Sequence, residues 1–323
     1  MIGTRQYLRV CSLQVAGQSG SGIELSALRV TFHITHGTQQ TPRVLQARVY
    51  NPSPSTIQAI EKQFTRVVLS AGYQGNAATI FSGTITQTRH GRENPVDTFI
   101  DIFASSNEQS YATATTQQVL APGWQWKDVH SQAVTDMADD NIAAGAFPEI
   151  SGSGARPKVM YGMTRDICRV AGTSTGSAWN VSDGALNFNQ ITAMQKGGGG
   201  KSIALTPKSG LVGIPVQVPG GVQATCLLNP DLQVGVNVTL NDSLVLGQQA
   251  DLSYGATDGG NFEYTTDNGV TRRTVVGLSP TGSYSVVFVE HIGDTRGDPW
   301  YSTITCIATD VSAVQSRSLL GAF

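Results

Sequence analysis

Few side chains in this sequence stand where chemistry could happen, and most candidates fail on spacing. Gly197-Gly198-Gly199-Gly200-Lys201-Ser202 ends like a phosphate-binding loop, whose backbone N–H groups would cradle phosphate oxygens. That loop needs a further glycine at position 195, where Gln stands, and no strand-to-helix context follows, so the run reads as a flexible joint. His33 and His36 lie three apart, but His33 falls on the polar side of an alternating strand. No Cys or carboxylate cluster completes a zinc set, so both read as surface histidines. Asp139 and Asp140, with Glu149 beyond, are the residue types of a glycosidase carboxylate pair, although a solvated helix face is the commoner origin of such a pattern. No Gly-x-Ser-x-Gly elbow or His-Glu-x-x-His pair is present. Asn180, Asn237 and Asn241 sit in glycosylation sequons, which matter only in a secreted chain.

One segment keeps its interest. His291 is followed by Asp294-Thr295-Arg296-Gly297-Asp298 and then Trp300. A calcium loop puts oxygens at alternate positions and closes with a bidentate Glu, which is missing here. The run is therefore expected to be structural, with Asp294 and Arg296 fixing a tight loop and Trp300 anchoring the next strand. A contact between subunits is the second reading, and a metal the third.

The elements around these residues are mostly strands. Leu28 to Ile34 alternates strictly, as does Val44 to Tyr50, which stops at the turn pair Asn51-Pro52. Ser55 with Gln58 has the spacing of a capping box opening a short helix through about Gln63. Arg66 to Tyr73, Thr79 to Thr86 and Val96 to Ala104 return to strand. Trp126 to Ala144 has helical spacing, with Val129, Ala133, Val134, Met137 and Ile142 on one side and Asp136, Asp139 and Asp140 on the other. Met163 to Ala171 is predicted to be a shorter helix, and Trp179 to Val181 with Ala185 to Phe188 a hairpin about Asp183-Gly184. Beyond the glycine joint the strand pattern resumes, at Val222 to Leu228, Val234 to Leu240, Tyr284 to Ile292 and Tyr301 to Thr309.

Composition agrees with that pattern. Charged residues are 14% of the 323, where about 25% is usual, and glycine alone contributes 36. The net charge of −2 excludes a strongly basic nucleic-acid binder, and the composition excludes a coiled coil or a disordered chain. What remains is a β-rich protein with a neutral, hydroxyl- and amide-bearing surface that costs little to desolvate. No apolar run is long enough to cross a bilayer as a helix, and Met1 to Val10 has no signal-peptide core. Cys11, Cys168, Cys226 and Cys306 are widely spaced and read as reduced, structural thiols, with a disulfide as the alternative.

The two β regions resemble each other in order. Each has a strand ending in Asn-Pro (Asn51-Pro52 and Asn229-Pro230), then a turn and another strand. Each closes with two long strands around a polar loop that carries His, Gly and Arg: His90, Gly91 and Arg92 in the first, His291, Gly293 and Arg296 in the second. The longer second region leaves room for an extra hairpin between Asp242 and Ser279. Three copies of a chain with two equivalent β units would place six similar units around one axis, so that a three-fold object could meet a six-fold one.

Several runs resemble baseplate hub proteins of long-tailed bacteriophages. In the first region they are Leu28 to Phe32, Ala47 to Ser53, Leu69-Ser70-Ala71-Gly72-Tyr73 and Ile80-Phe81-Ser82-Gly83-Thr84-Ile85. In the second they are Gly210 to Pro215, Cys226 to Pro230 and His291 to Tyr301, and the resemblance spans roughly residues 25 to 310. It implies a mainly β chain with two tail-tube-like β-barrel or sandwich domains and a small α+β domain between them. The expected division is 1–105 for the first tube-like domain, 106–200 for the α+β insert, 201–310 for the second tube-like domain and 311–323 for a C-terminal tail. The implied role is structural: a homotrimeric ring of pseudo-six-fold symmetry that joins a hexameric tail tube to a central spike. DNA would pass through its lumen without specific binding, and other baseplate proteins would surround it. The expected location is the phage tail of the virion, after synthesis in the host cytoplasm. Catalytic, cofactor-binding and metal residues are not expected. The alternatives are a tail-associated peptidoglycan hydrolase with its site in the 106–200 insert, and a hexameric distal tail adaptor.

Overall fold

The computed structural model describes residues 6–17, 22–37, 42–138, 142–150, 152–182, 184–190, 202–218, 221–241, 245, 262–267, 270–275 and 282–309. The glycine joint through Lys201, Asp139, Asp140, Asp183 and the tail 311–323 lie outside them. The chain is mainly β, and packing divides its described residues into two units, one of residues 6–190 with His291–Trp300 and the other of 202–290 with 301–309.

The first unit opens with β1 (Arg9–Ala16), β2 (Gly22–Glu24), β3 (Val30–Gly37) and β4 (Val44–Tyr50). Helix α1 (Pro54–Lys62) follows, and then β5 (Arg66–Tyr73), β6 (Asn76–Arg92) and β7 (Thr98–Ser105). The strands lie in the order β3-β4-β7-β6-β5-β1-β2, every pair antiparallel. Alternation sets the register. Phe32 stands opposite Ala47 and Ala47 opposite Ile102, all buried, so a one-residue slip would turn this whole apolar row to water. The long β6 pairs with β5 along its first half and with β7 along its second, with a bulge in the latter pairing between Ile85 and Gln87. The cap of α1 is Ser53 rather than Ser55. Its hydroxyl accepts from Thr56 N at 3.1 Å while Pro54 occupies the first turn, where a missing N–H costs nothing.

Residues 106–190 build a small core of their own from helices and short strands. The elements are α2 (Glu108–Thr113), β8 (Thr115–Leu120), α3 (Trp126–Asp136), β9 (Ala143–Ala144), β10 (Lys158–Met163) and α4 (Thr164–Thr175). A hairpin of β11 (Ser177–Ser182) and β12 (Ala185–Gln190) completes them. Val129, Ala133, Met137, Cys168, Trp179 and Phe188 pack together there. The helix expected through Ala144 ends at Asp136, and Ala143 and Ala144 instead pair in parallel with Ala185 and Leu186. Apolar spacing alone could not register that partner.

The second unit contains β13 (Ser202–Ala204), β14 (Leu211–Val218), β15 (Gly221–Leu227), β16 (Asn237–Thr239), β17 (Phe262–Asp267) and β18 (Val270–Val275). It closes with β19 (Ser283–Asp294) and β20 (Trp300–Ala308), whose shared tip His291–Trp300 packs in the first unit. The strand order is β14-β15-β20-β19-β16, with β13 beside β16. Val222 opposite Cys306 and Ala224 opposite Ile304 form its core row with Val238, Tyr284 and Val286. The strand expected over Val234 to Leu240 shrinks to β16, because the chain turns through Gly235 at a positive φ of 86°. β17 and β18 pair antiparallel, so a hairpin occupies the region where an extra one was expected. Among the described residues no helix is long and apolar enough to cross a membrane.

The pairing order exposes the internal repeat. β3-β4-β7-β6-β5 in one unit and β14-β15-β20-β19-β16 in the other are the same arrangement, strand for strand. In each, the strand that runs into Asn-Pro pairs with the last long strand of its region.

Candidate assembly site at the tip of the last hairpin

The tip begins where β19 runs out at Asp294, whose backbone N–H donates to the Pro299 carbonyl at 2.8 Å and closes the turn. The Asp294 carboxylate points inward and is buried. Arg29, immediately before β3, reaches it with two bonds, Nε to Oδ1 at 3.2 Å and Nη2 to Oδ2 at 2.6 Å. The backbone N–H of Arg296 donates to the same Oδ1 at 2.9 Å. Burial by itself would raise the Asp294 pKa, but the bonds from Arg29 and from the Arg296 and Gly297 backbone outweigh it and hold the carboxyl below its ordinary value. The Arg29 guanidinium also lies over the Tyr50 ring, 4.6 Å from its centre.

Backbone and aromatic contacts complete the docking of the loop. Thr295 N donates to Val30 O at 3.0 Å, and Val30 N donates to the Thr295 hydroxyl at 2.9 Å. Trp300 is fully buried and meets Phe32 edge-on, with ring centres 5.4 Å apart. A Cβ on Gly293 would strike both of those rings, so only glycine fits there. Arg9, at the start of β1, donates to the carbonyls of Gly297 at 2.6 Å and Asp298 at 3.0 Å. The side chains of Arg296 and Asp298 stay exposed, Arg296 making a 3.3 Å bond to Ala27 O.

His291 lies below the tip and is buried. Burial first, and then the nearby Arg43 charge, push its pKa down to about 3. His36, expected at the surface, is buried as well. Its Nδ1 faces Arg43 Nη2 at 3.3 Å, and burial, Arg43 and His291 together push it to about 3. Arg43 is itself buried and donates to Ile80 O at 3.1 Å. Burial disfavours the charged form of both rings, and the nearby Arg43 charge acts in the same direction. His33 is exposed, as the alternation implied.

Thus the five residues singled out in sequence divide by depth: His291, Asp294 and Trp300 anchor, and Arg296 and Asp298 face outward. Arg9, Arg29, Phe32 and Arg43 were not singled out. Nothing in their local sequence marks them, since each acts on a partner far along the chain. Among the described residues no three His, Cys, Asp or Glu side chains converge as metal ligands would.

No family model matches the sequence, and no curated protein matches it either. Solved structures do. The 43 kDa tail protein of prophage MuSo2 from Shewanella oneidensis is similar at 8% identity, covering 95% of this chain and 98% of that one, with a TM-score of 0.51. A tail protein from Neisseria meningitidis MC58 is 9% identical over 93% of this chain and 97% of its own, with a TM-score of 0.54. The E. coli c3393 protein is described as a component of the type VI secretion system with structural similarity to the T4 bacteriophage tail proteins gp27 and gp5. It is 10% identical over 90% of this chain and 76% of that one, at 0.50. At such identities the likeness is one of backbone, and it runs nearly end to end. The chain has the mainly β fold of bacteriophage tail proteins, in keeping with its sequence resemblance to baseplate hubs.

Proposed function

We propose that this protein is a structural component of a phage tail, the hub of its baseplate. Three copies form a ring that presents six similar sheets, joins a hexameric tail tube to a central spike and surrounds the DNA exit channel. The observation that carries the reading is the duplicated strand order, β3-β4-β7-β6-β5 and β14-β15-β20-β19-β16. One chain that offers the same sheet twice is what a three-fold ring needs to mate with a six-fold tube.

Two further features support it. Among the described strands β14 is bonded on one side only, to β15, and it exposes Val212, Ile214 and Val216. An open edge with an apolar face is a surface that a neighbouring subunit would cover. An obligate contact of this kind should bury on the order of 2,000 Å² or more. On the face of the first sheet opposite its apolar core, three arginines are matched by carboxylates, while Arg66 at the start of β5 is exposed. Asp101 is buried between Arg48, at 2.6 Å, and Arg89, at 2.5 Å, and Arg29 is held by Asp294. Cations neutralised in place grip the phosphates of a passing polyanion less than free ones would. The tail tube protein, the spike and other baseplate proteins would be its partners, and the virion its location. Electron microscopy of the purified protein tests the reading: averaged images should show three-fold rings with six lobes, and strictly six-fold rings would contradict it.

A further inference from the structure

The two sheets match in register as well as in strand order. Tyr50 N donates to the Arg29 carbonyl at 3.0 Å, and Leu227 N donates to the Gly210 carbonyl at 2.8 Å. One position on, Val30 stands opposite Val49, and Leu211 opposite Cys226. Across the next pairing Tyr50 faces Phe99, and Leu227 faces Tyr301. The same kind of bond shuts both closing hairpins, Glu93 N to Asp97 O at 3.0 Å and Asp294 N to Pro299 O at 2.8 Å. Residue for residue, Gly210 therefore stands for Arg29, Leu211 for Val30 and Glu93 for Asp294.

Only one of the two tips has a seat. The tip His291–Trp300 packs in the first unit, on Arg29, Val30 and Phe32. Among the described residues β14, the counterpart of β3, is bonded to β15 alone and exposes Val212, Ile214 and Val216. The β6–β7 tip, the counterpart of the seated one, leaves Val96 84% exposed. Glu93 is exposed there too, with Arg48 at 3.5 Å as its ion-pair partner. One chain thus carries a covered strand, an uncovered strand of the same kind, and an exposed tip of the kind that covers.

We propose that the contact made once within the chain recurs between chains, the β6–β7 tip of one copy seating on β14 of the next. This rests on the reading of the protein as a three-copy ring and names the surfaces that close it. Each copy offers one tip and one strand, so a head-to-tail ring leaves neither unmatched. The charges agree. Lys208 is exposed on the helical turn Pro207–Ser209, two residues before Gly210, and meets Glu93 as Arg29 meets Asp294. The other charges of the tip are held locally: Asp97 accepts from Asn51 and Asn94, and Arg92 donates to the Pro95 carbonyl. The copy is not exact. Leu211 N already donates to Thr206 O, and a bulge at residues 213–215 stands where Phe32 lies in the first sheet. Ile214 on that bulge, packing against Val96, takes the place of the Phe32–Trp300 contact.

Cross-linking of the full chain tests the junction. Val96→Cys and Ile214→Cys, both at exposed positions, are placed in a Cys11→Ser background and treated with a short bismaleimide. The double variant should give linked dimers and trimers on denaturing gels, and nothing larger. A mixture of the two single variants should stop at dimers, and neither single variant alone should link. Separately, Glu93→Lys and Lys208→Glu should each raise the dissociation constant of the oligomer by about tenfold, and the two together should restore it. Links confined to single chains, dimers from Val96→Cys alone, or no rescue in the double reversal would overturn the proposal. Mass measured on the unlinked protein separates the two readings. A trimer whose double variant does not link removes this junction and leaves the hub. Links that run on past three subunits keep the junction and remove the three-fold ring.

Discussion

Arg29 and Asp294, 265 positions apart, meet in a two-pronged ion pair that fastens the tip of the last hairpin to the start of the segment entering β3. The carboxylate is buried and the guanidinium half-exposed, so the partners do not contribute alike. Arg29→Ala strands a negative charge inside the fold, whereas Asp294→Asn keeps the shape and most of the bonding. The first should cost about 2–3 kcal/mol, discounted from the fully buried case for the exposure of Arg29, and the second about 1 kcal/mol. Denaturant midpoints of the two variants at unchanged slope check the order.

Acid should weaken the protein well before its carboxylates titrate. His36 and His291 have folded pKa values near 3 against an ordinary value of 6.5. Between these limits the unfolded chain binds more protons than the folded one, so stability is full above about pH 6.5 and falls as the pH drops toward 3. Each histidine adds a slope of about 1.4 kcal/mol per pH unit. Unfolding followed from pH 7 to pH 4 should show this steep loss, and His36→Gln should flatten it. An unchanged slope in that variant would mean that the Arg43 cluster is not its source.

Gly293 is a steric requirement and not a flexible link. Gly293→Ala drives a methyl into the Phe32 and Trp300 rings and should cost about 1–3 kcal/mol in thermal or chemical unfolding. A near-neutral result would show that the Phe32–Trp300 contact has slack.

The exposed row on β14 separates folding from assembly. Ile214 is 65% exposed, so Ile214→Asp should leave the unfolding midpoint of the isolated subunit within about 0.5 kcal/mol of the parent. The same change should abolish oligomers in size-exclusion chromatography. Oligomers that survive it would move the interface elsewhere.

The parts legible in sequence were those whose determinants are local. β4 begins and ends where strict alternation placed it, because one face of the strand is buried and the other is not, and β5 also keeps its expected bounds. The matching strand order was foreshadowed by the Asn-Pro turns, whereas His90, Gly91 and Arg92, expected in a closing loop, lie on β6. Long-range partners set the rest. α3 stops at Asp136 although Met137 and Ile142 continue its apolar spacing, because the chain beyond it joins β12 as a strand. The burial of His36 depends on Arg43 and His291, and the anchoring of Asp294 depends on Arg29. A segment read alone shows only that these side chains are polar, not that a partner of matching charge closes over them.

The central claim is that one chain carries two equivalent sheets so that three copies can do the work of six. Native mass spectrometry of the assembled protein tests it most directly. The account predicts a closed oligomer of three subunits, and a mass of six subunits, or a monomer at every concentration, would contradict it.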